Sequence, residues 1–217
     1  RGELLEKVKM AAGVPVKKLL APMGVPGKVH EPSLSPISSL RVDAVVLGIS
    51  TGGPYALKKL IPQFPADFPV PMAIVLHMPV GYTALFAKQL DQVSFLAVKE
   101  AEEGDLFLAG TVLIAPAGRH LTLKRNASGS VEAHLDARPF DTLHRPSVDV
   151  LFESAADVFG NRGLGVVMTG MGSDGEAGAG AMKARGGRIF TETEETCVVY
   201  GMPRSVVEAG LSDRQIP

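Results

Sequence analysis

Four short, almost wholly apolar runs, at 42–48, 71–76, 112–115 and 164–169, constrain this chain more than any other feature of its sequence. Each is too short for a helix and lacks the alternation of a half-wet strand, so each reads as a strand buried on both faces. Helical patterns separate them. Residues 54–61, 82–90, 147–159 and 176–185 suit amphipathic helices, with Pro54 fitted to a first turn and Ser147 to an N-cap. A strand at 188–191 and a short helix at 203–208 continue the alternation. Residues 120–124 and 131–135 instead alternate apolar with polar about a turn at 126–129, as an antiparallel hairpin with one wet face does. The pattern predicts an α/β fold: a doubly wound, mostly parallel, Rossmann-like three-layer sheet with one antiparallel hairpin.

The first 40 residues stand apart. Residues 3–12 suit a short amphipathic helix, and 13–40 have the Pro, Gly and Ser content of a linker that also contains His30. Residues 1–40 hold six basic and three acidic residues, against 16 and 20 in the remainder. An interdomain linker over 1–40 and a single domain over 41–217 are therefore expected. The chain opens on Arg1 rather than Met, so a partner N-terminal to it is expected. The net charge of −1 gives no reason to expect nucleic acid as a partner. No apolar run reaches the ~18 residues of a bilayer span, so membrane insertion is not expected. The single cysteine, Cys197, excludes an intrachain disulfide, reads as a core residue and suits a reducing cytoplasm. Metal-ligand spacings such as H-x-x-x-H, H-x-E or C-x-x-C are missing, so neither a metal nor a cofactor is expected.

Sites in such sheets form beyond the carboxyl ends of the strands. Three strand ends here carry reactive side chains: Ser50 after the first, His77 after the second, and Asp174 in the loop after the strand at 164–169. These are the parts of a hydrolytic triad. A serine hydroxyl needs an imidazole to take its proton, and the imidazole needs a carboxylate to fix its tautomer and stabilise its charged form. Residues 48–52 also fit the nucleophile-elbow pattern G-x-S-x-G. The α/β-hydrolase fold is excluded by order, because it places its histidine last and no histidine follows Asp174. A second reading competes. Residues 170–175 spell G-x-G-x-x-G after a strand and before a helix, with Glu192 and Glu194 about 20 residues on, as in dinucleotide-binding proteins. Against it, Asp174 would set a carboxylate beside the pyrophosphate. His120 and His144 flank the hairpin and read as structural residues, and His134 as a solvated one.

Six segments carry a resemblance: GISTGGP (48–54), LHMP (76–79), IAPAGRHL (114–121), HRPSVDVLFESAA (144–156), MTGMGSDGEAG (168–178) and CVVYGMP (197–203). In this order they resemble the catalytic domain of the CheB-type chemotaxis protein-glutamate methylesterases. The resemblance implies a cytoplasmic serine hydrolase that removes methyl groups from glutamyl γ-methyl esters on methyl-accepting chemotaxis receptors, and that deamidates certain receptor glutamines. It implies the triad Ser50, His77 and Asp174, an oxyanion donor in the Met171 backbone N–H, and a further active-site position at Thr51. It implies a receiver domain that residues 1–217 do not contain, with 1–40 as the linker behind it, so the chain is expected to act unrepressed. Arg119 and Arg145 are candidates for docking the acidic receptor surface. A dinucleotide-binding protein and an inactive receptor-binding module remain as alternatives.

Overall fold

The computed structural model describes residues 41–139 and 141–217. The helix expected over 3–12, the linker over 13–40 and His30 lie outside the described residues.

Seven strands form one sheet. They are β1 (Ala44–Ile49), β2 (Met72–Leu76), β3 (Ala97–Glu100), β4 (Thr111–Ile114), β7 (Gly163–Val167), β8 (Arg188–Glu192) and β9 (Arg214–Ile216). Their order is β3-β4-β2-β1-β7-β8-β9, and every pairing is parallel. The other two strands, β5 (His120–Arg125) and β6 (Val131–Asp136), pair antiparallel with each other as a separate two-stranded sheet. The doubly wound parallel architecture agrees with the sequence pattern, and the hairpin stands beside the main sheet rather than in it.

The apolar runs became strands because both faces of the sheet are covered. All six residues of β1 are buried. Alternate residues go to opposite sides. Val45, Leu47 and Ile49 face a core with Ile74, Leu76, Val112 and Ile114, closed by Leu57 of α1 (Gly53–Leu60) and by Phe86 and Leu90 of α2 (Thr83–Asp91). Val46, Val75, Val167 and Ile189 face the other core, under α3 (Val148–Phe159), α4 (Glu176–Ala184) and α5 (Met202–Glu208). The hairpin adds Leu121, Leu123 and Ala133 to this second core.

Two strands, β3 and β9, have no counterpart in the sequence pattern. They are the sheet's edges, with four and three residues. Within β3 only Val98 is buried, so neither has an apolar run to announce it.

Strand order reverses between β1 and β7: from β1 the chain passes to β2, then to the edge strand β3 and back to β4 between them, and later crosses to β7, β8 and β9 on the other side of β1. The register aligns the strand ends there. Ile49 pairs with Leu76 and Gly48 with Val167. Ser50, His77 and the loop after β7 therefore leave the sheet at one level, at the crevice where doubly wound sheets hold their sites.

On the face that carries the second core, α3 and α4 meet closely at Gly178. A Cβ placed there would lie 2.6 Å from the Phe152 Cβ and 2.8 Å from the Asp149 Cα. Neither neighbour is the free end of a flexible side chain. Gly178→Ala should therefore lower stability by roughly 1–3 kcal/mol, the usual cost of forcing a methyl into a packed contact, measured as a fall in Tm or in the midpoint of denaturant unfolding.

Candidate active site

Ser50 is the first residue beyond β1. Its N–H donates to the Thr169 carbonyl (2.9 Å), and its carbonyl accepts from Gly53 N–H (2.8 Å). That tight turn needs Gly52, which has φ +87°, a conformation an L side chain avoids. The turn leads directly into α1, so Ser50 sits in the positive field of a helix N-terminus. A Cβ on Gly170 would lie 2.9 Å from the Ser50 Cβ, which measures how closely the loop after β7 lies against the serine. Met171 follows Gly170 and is exposed. Its N–H makes no hydrogen bond among the described residues. Thr51 is also exposed, and its carbonyl accepts from the Thr169 hydroxyl (2.9 Å).

His77 follows β2, with its N–H on the Ile49 carbonyl (3.2 Å). Its Nε2 lies 2.8 Å from Asp174 Oδ2, with both side chains about nine-tenths buried. The carboxylate holds the proton on Nε2 and leaves Nδ1 as the basic nitrogen. Nδ1 is buried and has no hydrogen-bond partner among the described residues. The proposed triad calls for the serine hydroxyl at the second ring nitrogen; that bond is not made among the described residues, and catalytic hydrogen bonds often tighten only when substrate is bound.

Asp174 is the most heavily bonded group of the site. Oδ1 accepts from the Ser147 hydroxyl (2.8 Å) and Asp149 N–H (3.1 Å), and Oδ2 accepts from Val148 N–H (2.8 Å) as well as His77. Burial raises its pKa, but hydrogen bonds from His77, Val148, Asp149 and Ser147 outweigh burial and hold it at about 2. The carboxylate therefore stays ionised wherever histidine titrates. It also caps α3. Ser147 occupies the N-cap position the sequence suggests, but its hydroxyl points to Asp174, and Asp174 takes the first N–H groups of the helix.

Three further side chains contribute here: His144, one of two histidines whose positions allow them to line the site mouth, and Asp149 and Glu192, whose roles here their sequence positions do not suggest. His144 stacks on His77, with ring centroids 4.1 Å apart at 24°. Burial, and then the charge of His77, push the His144 pKa down, so it tends to stay neutral against its neighbour. Asp149 reads in sequence as an ordinary first-turn acid. In the structure its Oδ1 accepts the Gly175 (2.9 Å) and Gly178 (2.7 Å) N–H groups that open α4. Burial first, with the charge of Asp174, pushes Asp149 up to about 6. Glu192, one of the two acids of the dinucleotide reading, is buried at the end of β8 with Oε2 on Thr169 N–H (2.8 Å). It builds the loop beside Ser50 and is not available to a ribose.

Of the other described histidines, His120 is buried, bonding the Pro139 carbonyl (3.0 Å) and Ser147 N–H (3.2 Å), and His134, read as solvated, is half-buried with Nδ1 2.5 Å from Glu103. Arg119 is exposed, whereas Arg145 is half-buried and its carbonyl accepts from Gly118 N–H (3.0 Å). Cys197 is half-buried, and burial pushes its thiol up to about 12. Val80, Tyr82, Leu143, Met171 and Val198 are exposed apolar residues on the loops that carry the site.

A doubly wound parallel sheet with a serine and a buried His–Asp pair at its switch point is the class of protein the geometry defines. A sequence profile described as CheB methylesterase matches residues 45–217, and the chain belongs to that family. The protein-glutamate methylesterase/protein-glutamine glutaminase 5 of Myxococcus xanthus (strain DK1622) is 46% identical over 217 residues, all of this chain and 61% of that protein. The similarly named enzyme 2 of Nitratidesulfovibrio vulgaris is 48% identical over 171 residues, 79% of this chain and 46% of that protein. This chain thus spans 46–61% of the length of these relatives. The crystal structure of the Thermotoga maritima CheB methylesterase catalytic domain aligns with a TM-score of 0.79 and 44% identity, over 82% of this chain and 94% of that one.

The two carboxylates give stability a distinctive pH dependence. Asp174, depressed from 3.8 to about 2, contributes stability that is present above about pH 4 and lost as the pH falls through about 2. Asp149 has the opposite sign. Its folded-state pKa is raised to about 6, so the folded state holds the proton longer and stability declines as pH rises from about 4 to about 6. Thermal unfolding across this range should show both limbs, and Asp149→Asn should remove the upper one.

Proposed function

We propose that residues 41–217 are the catalytic domain of a serine hydrolase. It removes methyl groups from glutamyl γ-methyl esters of chemotaxis receptors and deamidates glutamines at comparable sites, on the cytoplasmic side of the membrane. Residues 1–40 are the connection to a receiver domain. The observation that carries this reading is the buried 2.8 Å bond between His77 Nε2 and Asp174 beside Ser50. Membership of the CheB methylesterase family supplies the ester and the protein substrate.

In this mechanism the Ser50 hydroxyl attacks the ester carbonyl as His77 Nδ1 takes its proton, and Asp174 stabilises the resulting imidazolium through Nε2. The oxyanion is held by the Met171 N–H in the field of the α1 N-terminus. Collapse of the tetrahedral species expels methanol, which receives the proton from Nδ1 and leaves an acyl-serine. Water, deprotonated by the same nitrogen, then releases glutamate and restores Ser50. With a glutamine substrate the leaving group is ammonia. Thr51 fixes the serine turn through its carbonyl. No metal or cofactor enters the scheme.

The substrate is a side chain on a helical receptor, so the site must meet a protein surface. The exposed apolar residues on the loops that carry the site suit this. Of the two docking candidates, Arg119 is the exposed one.

Ser50→Ala should fold normally and lose on the order of 10⁴-fold in ester hydrolysis; near-normal turnover in a folded variant overturns the mechanism. Arg119→Glu and Leu143→Asp should each weaken hydrolysis on receptor-containing membranes by about tenfold, the scale of one good interface contact, while leaving a small soluble ester nearly unaffected. Equal loss on both substrates removes these residues from the docking surface.

A further inference from the structure

Two carboxylates meet where α3 and α4 begin, and only one of them reaches His77. Asp149 belongs to the first turn of α3 yet accepts the Gly175 and Gly178 N–H groups of α4. Asp174 immediately precedes α4's N-cap yet accepts the Val148 and Asp149 N–H groups of α3. Each acid closes the helix to which the other is joined. The loop bearing Asp174 is thus tied to α3 twice: by the carboxylate of Asp174 itself, and by Asp149 acting on the next residue. The close contact at Gly178 leaves the helices little room to shift.

We infer that Asp149 is a positioning residue of the reaction: without touching substrate, it holds the Asp174 carboxylate on His77 Nε2 and adds a second negative charge behind it. This rests on the esterase reading above. Two acids this close persist because two helix N-termini, each equivalent to roughly half a positive charge, converge on them. The other ionisable groups around the pair are His77 from the end of β2, His120 from β5, and His144 and Arg145 from the segment entering α3; Glu176 lies in the first turn of α4. Burial and Asp174 push Asp149 up to about 6, so both acids are ionised at neutral pH.

Asp149→Asn keeps the shape and an oxygen for the two glycine N–H groups but removes the charge. It should retain the fold, lower kcat for a small ester about tenfold with KM nearly unchanged, and move the acid limb of the kcat/KM profile to lower pH by about half a unit or more, since the imidazolium loses a supporting charge. Asp149→Ala should lose more activity and also lower Tm. In the wild-type protein, the His77 ring resonances should respond to the ionisation of Asp149, a readout that needs neither turnover nor a variant. A folded Asp149→Asn protein with unmoved kcat and limb overturns the inference. So does a loss equal at every pH that follows Tm alone, or a His77 resonance blind to Asp149. Wild-type and Ser50→Ala proteins run alongside keep the two readings distinct: a wild type without Ser50-dependent hydrolysis defeats the esterase reading, whereas active wild type with an indifferent Asp149→Asn defeats this one.

Discussion

Asp174 is buried, ionised and bonded by four donors, and much of the structure exists to make that tolerable. An isolated carboxylate in such a place would take up a proton. Here the start of α3 offers two backbone N–H groups and a serine hydroxyl, and His77 supplies the fourth donor. The requirement reaches well beyond the acid. Helix α3 must begin over the end of β1, where Val148 lies against Gly48. His120 must hold Ser147 N–H so that the serine hydroxyl can turn inward. Asp149 must close α4 so that the loop carrying Asp174 stays in place. The hairpin contributes through the same chain of contacts, because His120 is its first residue.

A second network supports the serine from the other side. Glu192, from the end of β8, takes Thr169 N–H; the Thr169 carbonyl takes Ser50 N–H; the Thr169 hydroxyl reaches Thr51. Gly170 N–H continues the network to the Val199 carbonyl at 3.0 Å. Backbone geometry near Ser50 and Met171 is therefore set by hydrogen bonds joining the segments after β1, β7 and β8, the kind of preorganisation that an oxyanion site needs before any substrate arrives. The exposed Met171 side chain takes no part in these bonds.

The parts of this arrangement that follow from periodicity were legible in the sequence. The central strands announce themselves as apolar runs because they are covered on both faces, and the helices as amphipathic stretches because one face is wet. Strand ends then nominate Ser50, His77 and Asp174 without any knowledge of the sheet order. The edge strands β3 and β9 were not legible, since a strand of three or four residues with one buried side or none leaves no periodic signal. Nor was Asp149, whose place in a first helical turn already has a sufficient local explanation in the helix dipole. Its second role depends on a different helix arriving 26 residues later. Glu192 was misleading for a related reason: spacing identifies an acid after a strand but does not say whether it faces a ligand or the backbone of the neighbouring loop.

Strand order also decides which ring nitrogen does what in the proposed triad. In the serine-protease arrangement the acid binds Nδ1 and the serine faces Nε2. Here the order is β2-β1-β7, so His77 starts on one side of the serine and Asp174 on the other. The nitrogen farther from the histidine's own backbone is the one bonded to Asp174. Nδ1, nearer the backbone, is left for the proposed nucleophile, Ser50, the first residue beyond the middle strand. The exchange of nitrogens needs no special side chain. It follows from putting the nucleophile on the central strand of the three, and it preserves the chemistry because the acid still fixes the tautomer and leaves the opposite nitrogen basic. His144 stacks on one face of the ring.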